Sequence, residues 1–297
     1  MLIKILLPVC LFITGSLFAQ KKDTIDLMSQ LEKEATQNTT NYTSATFKTT
    51  RLVNGHSVEN VGKGVMDVKI SHRFGTLNNG AYQLFGLDNA TMRMGFDYGI
   101  NNRLMIGIGR STFQKTFDAF FKIKLLRQST GKYNMPVTVS YVPTIAVRTL
   151  NWENPSQKNY FANRLSYTHQ LIIGRKFSEK TSLQIMPTFI HRNLAELATD
   201  PNDLLAIGIG GRQKLSKRIS FNVEYYYQIP GYKINGSTNA LSVGFDIETG
   251  GHVFQLHFTN SMGMTEKNFI SDTKGKWQNG DILFGFNISR VFTIGKK

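Results

Sequence analysis

From Val65 to the C-terminus the chain repeats one unit about twelve times: roughly nine to sixteen residues of alternating apolar and polar side chains, closed by a turn. One copy sets Phe117, Ala119, Phe121, Ile123 and Leu125 between Asp118, Phe120, Lys122 and Lys124. Another sets Ile219, Phe221, Val223, Tyr225 and Tyr227 between Ser220, Asn222, Glu224, Tyr226 and Gln228. Successive side chains on a strand face opposite sides, so each unit builds one apolar and one polar wall. A soluble sandwich would bury the apolar wall in a core, yet the polar positions here carry many charges and glycines. A closed barrel in lipid, apolar outside and wet inside, satisfies both walls and leaves no unpaired strand edge. The soluble β-sandwich is the minor alternative, and solubility without detergent would favour it.

Of the 297 residues 41% are hydrophobic and 19% charged, and only the N-terminus approaches the roughly 18-residue apolar run of a spanning helix. Met1 to Lys4 is a short basic start, Ile5 to Phe18 an apolar stretch, and Ala19-Gln20 a cleavage point. Residues 1–19 therefore read as a signal peptide, with a retained N-terminal anchor as the alternative. The one cysteine, Cys10, lies in this stretch, so the mature chain is expected to lack disulfides, thiolate catalysis and cysteine metal sites. Formal charge is +15, and cleavage removes only Lys4 from it. Such a chain could meet nucleic acid, anionic head groups or anionic solutes. Export, and cations scattered over strand faces and turns, exclude nucleic acid and favour outer-membrane lipid, lipopolysaccharide or a small anionic solute.

Residues 20–62 form a separate region, and residues 63–297 the barrel. Asp23 to Ala35 places Ile25, Met28 and Leu31 at helical spacing behind a capping Asp23. A Thr/Asn-rich stretch and a segment ending at Gly62 and Gly64 follow. This region is too short to fold alone, and is either a periplasmic tail or a plug. Strands are expected over 65–74, 90–100, 103–112, 116–127, 136–149, 162–177, 181–192, 203–215, 218–229, 239–249, 252–260 and 280–294. Tight turns at 101–102, 178–180, 216–217 and 250–251 alternate with long connections at 75–89, 150–161, 193–202, 230–238 and 261–279. That alternation marks a periplasmic and an exterior rim. Two links depart from it: 113–115 is brief for an outer loop, and 128–135 is long for an inner turn. About ten residues at roughly 3.3 Å each, tilted near 40°, span about 25 Å, the height of an outer-membrane apolar band. Phe74, Tyr98, Phe117, Phe177, Phe189, Tyr227 and Phe292 fall near strand ends, where interfacial aromatic girdles lie.

The stretches TFKTTRLVNGHSVENVGKGVMDVKISHRFG (46–75), YQLFGLDNATMRMGFDYGINNRLMIGIGRS (82–111) and GGHVFQLHFTNSMGM (250–264) carry a further signal. In them the chain resembles the Bacteroidota outer-membrane β-barrel family catalogued as a domain of unknown function. The resemblance runs over most of the mature chain. It implies an outer-membrane location and brings no activity or catalytic residues with it.

Other motifs are weaker. Gly107-Ile-Gly109 and Gly208-Ile-Gly210-Gly211 do not complete a dinucleotide loop, and inward glycines instead thin the wall or admit a neighbouring segment. No cofactor is expected. None of the six histidines forms a zinc motif, and His252 and His257 face opposite sides of their strand, so no metal site is expected. A lipid-facing hydrolase is the sharper enzyme reading, with His72, His169 and His191 outward. None has a serine two residues away on its own face, and an enzyme is not expected. Asp23-Thr24-Ile25 matches a short pattern for periplasmic O-glycosylation, a tripeptide common by chance.

The inward register is more informative. It carries Lys69, Arg73, Arg93, Arg103, Lys122, Lys124, Arg148, Arg164, Arg192 and Arg212 against Asp67, Asp97 and Asp118, with Glu224, Asp246 and Glu248 on later strands. Two readings stand level: a basic wall facing an acidic one across a pore, or charges that pair with each other or with an inserted N-terminal segment. The expected function is a narrow pore for small polar, anion-preferring solutes. Arg93, Lys122, Lys124, Arg148 and Arg164 would be its basic lining, with Glu224 and Asp246 opposite. The alternatives are a non-conducting scaffold binding a periplasmic or surface partner, and the lipid-facing hydrolase.

Overall fold

The computed structural model describes residues 38–152 and 155–295. The expected leader (1–19), the helix over 23–35 and Thr24 lie outside the described residues. Twelve strands follow one another: β1 (Val65–Thr76), β2 (Ala90–Gly99), β3 (Leu104–Ser111), β4 (Thr116–Leu126), β5 (Thr138–Arg148) and β6 (Leu165–Lys176), then β7 (Thr181–Arg192), β8 (Asp203–Lys214), β9 (Ile219–Gln228), β10 (Ala240–Thr249), β11 (His252–Thr259) and β12 (Leu283–Thr293). Each pairs antiparallel with the next, and β12 returns to β1 with Thr293 opposite Val65, so the sheet is a closed barrel. Closure removes every edge of that sheet, the requirement for strands in lipid. The chain is all-β, as its alternation predicts. No helix among the described residues is long and apolar enough to cross a membrane.

Alternation sorts the walls as expected. Met94, Phe96, Ile106, Ile108, Phe121, Ile185 and Ile209 are exposed on the outside, while Asp67, Lys69, Arg93, Asp97, Lys122 and Glu224 are buried inside. Both irregular links have a structural reason. The long inner turn holds Ser129–Gly131, which pairs with Thr40–Tyr42 and so tethers the N-terminal region to the short-turn rim. The brief link is a 3-10 turn, Phe113–Lys115, whose Gln114 side chain bonds Asn268 and Lys267 of a folded-in loop.

The interior is packed, which corrects the expectation of a wet one. Residues 46–61 rise from the short-turn rim into the barrel as a hairpin, with Arg51 bridged to His56 and the tip at Leu52–Gly55, where Leu52 N–H donates to Gly55 O at 2.8 Å. From the long-loop rim the connection after β11 folds inward as α1 (Glu266–Ser271), with Phe269 and Ile270 fully buried. Leu52, Val58 and Phe269 join the inward-facing Met105, Phe120, Ile172, Met186 and Tyr226 in one apolar core inside the barrel. Phe269 meets Tyr226 edge to face at 5.0 Å between ring centroids. Inward glycines make the room: a Cβ at Gly174 would meet Val58, one at Gly210 would overlap Leu52, and one at Gly99 would overlap the Gly62 carbonyl.

Candidate functional site: the closed lumen and the long-loop vestibule

Three strands, β1, β2 and β4, set opposite charges within reach of one another on the wall. Lys69 reaches Asp67 at 2.5 Å and its cross-strand neighbour Asp97 at 2.7 Å. Arg93 is held by Asp118 in a bidentate pair, with Nε donating to Oδ1 at 2.9 Å. The early strands therefore neutralise themselves locally and do not form a simple basic wall facing an acidic one. Arg103, expected inward, sits exposed in the turn before β3.

Several of the remaining interior charges bind the hairpin. Glu224 on β9 accepts the tip's backbone N–H groups: Asn54 at 2.7 Å on Oε1, with Val53 and Gly55 at 3.2 Å on Oε2. Three consecutive N–H groups turned toward one carboxylate form an anion nest. Lys122 on β4 is the converse, its ammonium donating to the backbone carbonyls of Thr50, Ser57 and Glu59 at 2.8–2.9 Å. Lys124 lies 3.5 Å from Glu59, and Arg73 donates to Asn54 Oδ1 at 2.7 Å. Asp246, also buried, accepts from Gln255 at 2.7 Å. A buried charge without such partners would cost several kcal/mol, so hairpin and wall are mutually required in this state.

The hairpin and α1 meet at mid-barrel. Arg51 donates to Glu266 at 2.7 Å, His56 lies 3.5 Å from the same carboxylate oxygen, and the His56 ring stands edge-on to Phe120 at 4.4 Å. Sequence reading singled out neither Arg51 nor Glu266. The Asn54-Gly55 pair, between Val53 and His56, was the available signal for the hairpin. The contact to Glu266 spans 215 positions and has no local signature.

Arg148 and Arg164 stand at the long-loop rim, beside a cavity of about 620 Å³. Arg148 reaches Glu196 at 3.3 Å. Arg164 donates to the carbonyls of Arg148 and Leu150 and lies 4.1 Å above the Trp152 ring. Nearby, Asp281 ties rim loops together, accepting from the Lys276 N–H and from Asn78, and these bonds hold its carboxyl below the ordinary range.

On the outer face, His169 is bonded to the Tyr141 hydroxyl at 2.7 Å, His191 to Asp203 at 2.6 Å, and His72 stacks on Phe286. Among the described residues no group of three or more metal-ligating side chains comes together.

No curated protein matches the chain. Among solved structures the barrel is similar to the NanC porin, at 9% identity and a TM-score of 0.48 over 78% of this chain and 100% of that one. It is similar also to the KdgM porin, at 7% identity and a TM-score of 0.45 over 77% of this chain and 99% of that one. The model of the membrane bound beta barrel domain (DUF5777) matches residues 47–292, a span that begins within the hairpin and ends in β12, and the chain belongs to that family.

Proposed function

We propose that this protein is an outer-membrane pore for small polar solutes, preferring anions, and that the hairpin of residues 46–61 is its removable closure. In this reading residues 1–19 are cleaved on export and the short-turn rim faces the periplasm. The long-loop rim faces the exterior, and lipopolysaccharide surrounds the outer apolar wall.

One observation carries the proposal: the hairpin is gripped by wall charges that would serve as a pore lining once it left. Arg73, Lys122, Lys124 and Arg212 each bond hairpin atoms, against Glu224 and Glu248 among the acids. Withdrawal would leave this cationic excess facing water, while Lys69 and Arg93 kept their acidic neighbours. An excess of fixed cations in a narrow conduit favours anions. Arg93, Arg148, Arg164 and Asp246 complete the proposed lining, with Arg148 and Arg164 at its outer mouth.

Planar-bilayer recording tests this. Full-length protein should be mostly closed. A variant lacking residues 46–61 should conduct with an anion-selective reversal potential, which Lys122→Met and Lys124→Met should move toward zero. If that variant assembles as a barrel and stays electrically silent, the pore reading fails. A non-conducting scaffold is then the better account, and the apolar contacts of Leu52 and Val58 with the barrel core favour it. Lipid turnover lost on replacing His169 or His191 would restore the hydrolase.

A further inference from the structure

The geometry points to a binding site for an acidic sugar in the cavity at the long-loop rim, built on Arg148, Arg164, Arg192 and Trp152. The three arginines sit at the rim ends of adjacent elements: Arg148 ends β5, Arg164 precedes β6, and Arg192 ends β7. Cross-strand pairing puts Arg192 directly opposite Ser166, which also lines the cavity. Lys158 adds positive charge to the lining, Lys267 of α1 is paired with Asp272 at 2.6 Å, and Glu196, bonded to Arg148, is the acidic residue among the described lining.

Arg192 is the decisive group. It is 4% exposed, lines both this cavity and an adjoining one of about 440 Å³, and its Nη2 donates to the Pro201 carbonyl at 2.7 Å. Its Nε has no hydrogen-bond partner among the described residues. A buried guanidinium with a donor to spare, at the wall of a cationic cavity, is a built anion receptor, and its fork suits a carboxylate.

The rest of the lining selects the body of the ligand. Asn151, Gln157, Asn159 and Asn163 present amides. Amides both donate and accept, which matches hydroxyl groups better than a bare inorganic anion. Trp152, backed on one side by Arg164, offers a flat apolar surface of the kind on which the C–H face of a sugar ring packs. A cavity of about 620 Å³ lies within the range of small-ligand sites.

The inference rests on the transport reading, because the vestibule lies at the mouth of the proposed conduit, and it names the solute class. Full-length protein in detergent is titrated by calorimetry with glucuronate, glucose and inorganic phosphate. Glucuronate should bind saturably, with glucose and phosphate each at least tenfold weaker. Arg192→Met should weaken glucuronate by about tenfold or more, the worth of one charge-assisted contact. Because Arg192 is buried, its variant is checked for heat-modifiable gel mobility, and the half-exposed Arg148→Met is run beside it with the same expected direction. Equal binding of glucose or of phosphate would overturn the proposal, as would unsaturable heats or unchanged binding in both variants. Since binding is measured without current, silent bilayers with intact glucuronate binding count against the pore alone. Conduction without binding counts against the vestibule alone.

Discussion

At the residue scale, Gly55 shows how tightly the hairpin tip is fitted. A Cβ there would overlap the Tyr226 hydroxyl, which itself donates to Met186 Sδ at 3.2 Å, and both residues are buried. Gly55→Ala is therefore expected to destabilise the closed state by about 1–3 kcal/mol, the usual range for overpacking. Tyr226→Phe removes the oxygen in the way and should recover part of that loss in the double variant. Urea unfolding of the four proteins measures the coupling, and strictly additive effects would contradict the fit described here.

At the element scale, the hairpin and α1 are short pieces that neither propensity nor length would stabilise alone. Each is held by what it meets. For the hairpin the principal anchor is Glu224, whose bonds to backbone N–H groups contribute ~1.5–3 kcal/mol apiece as charge-assisted hydrogen bonds. Glu224→Gln removes the charge while keeping the shape. It should loosen the hairpin by roughly 2 kcal/mol, raising the rate of limited proteolysis within residues 46–61 by about tenfold or more while the barrel stays intact. Cleavage at the parental rate would place the anchoring elsewhere. On α1, Gln114 plays the fastening part, which explains why one outer connection is a brief 3-10 turn. A long flexible loop there could not hold Asn268 and Lys267 in place.

At the scale of the whole molecule, the barrel is a two-sided object with lipid outside and a packed core inside. Phe47, Leu52 and Val58 of the hairpin are each 2% exposed or less. Burial of each such side chain is worth about 1.5–3 kcal/mol before ordering entropy is subtracted. Deleting residues 46–61 should lower the temperature at which the compact gel band is lost by on the order of 10 °C, with the strands retained. An unchanged transition would mean that the hairpin contributes nothing to the barrel's stability.

The alternation of short and long turns separated the two rims. The period-two alternation determined the roughly twelve strands and their outward and inward faces, because strand geometry ties every side chain's direction to its position in the chain. Phe117 and Lys122 fall on opposite walls for that reason alone. Inward glycines were legible as room for a neighbouring segment, and Gly174 and Gly210 receive Val58 and Leu52. What alternation could not carry was which inward charges meet each other. Lys69 finds acids on its own and the neighbouring strand and Arg93 finds one two strands away, whereas Lys122, Lys124 and Glu224 find their partners on a hairpin lying outside the repeat. Only the tertiary structure decided that the lumen is closed, because closure depends on two segments entering from opposite rims and meeting at Arg51 and Glu266. Contacts between residues so far apart along the chain leave no periodicity to read.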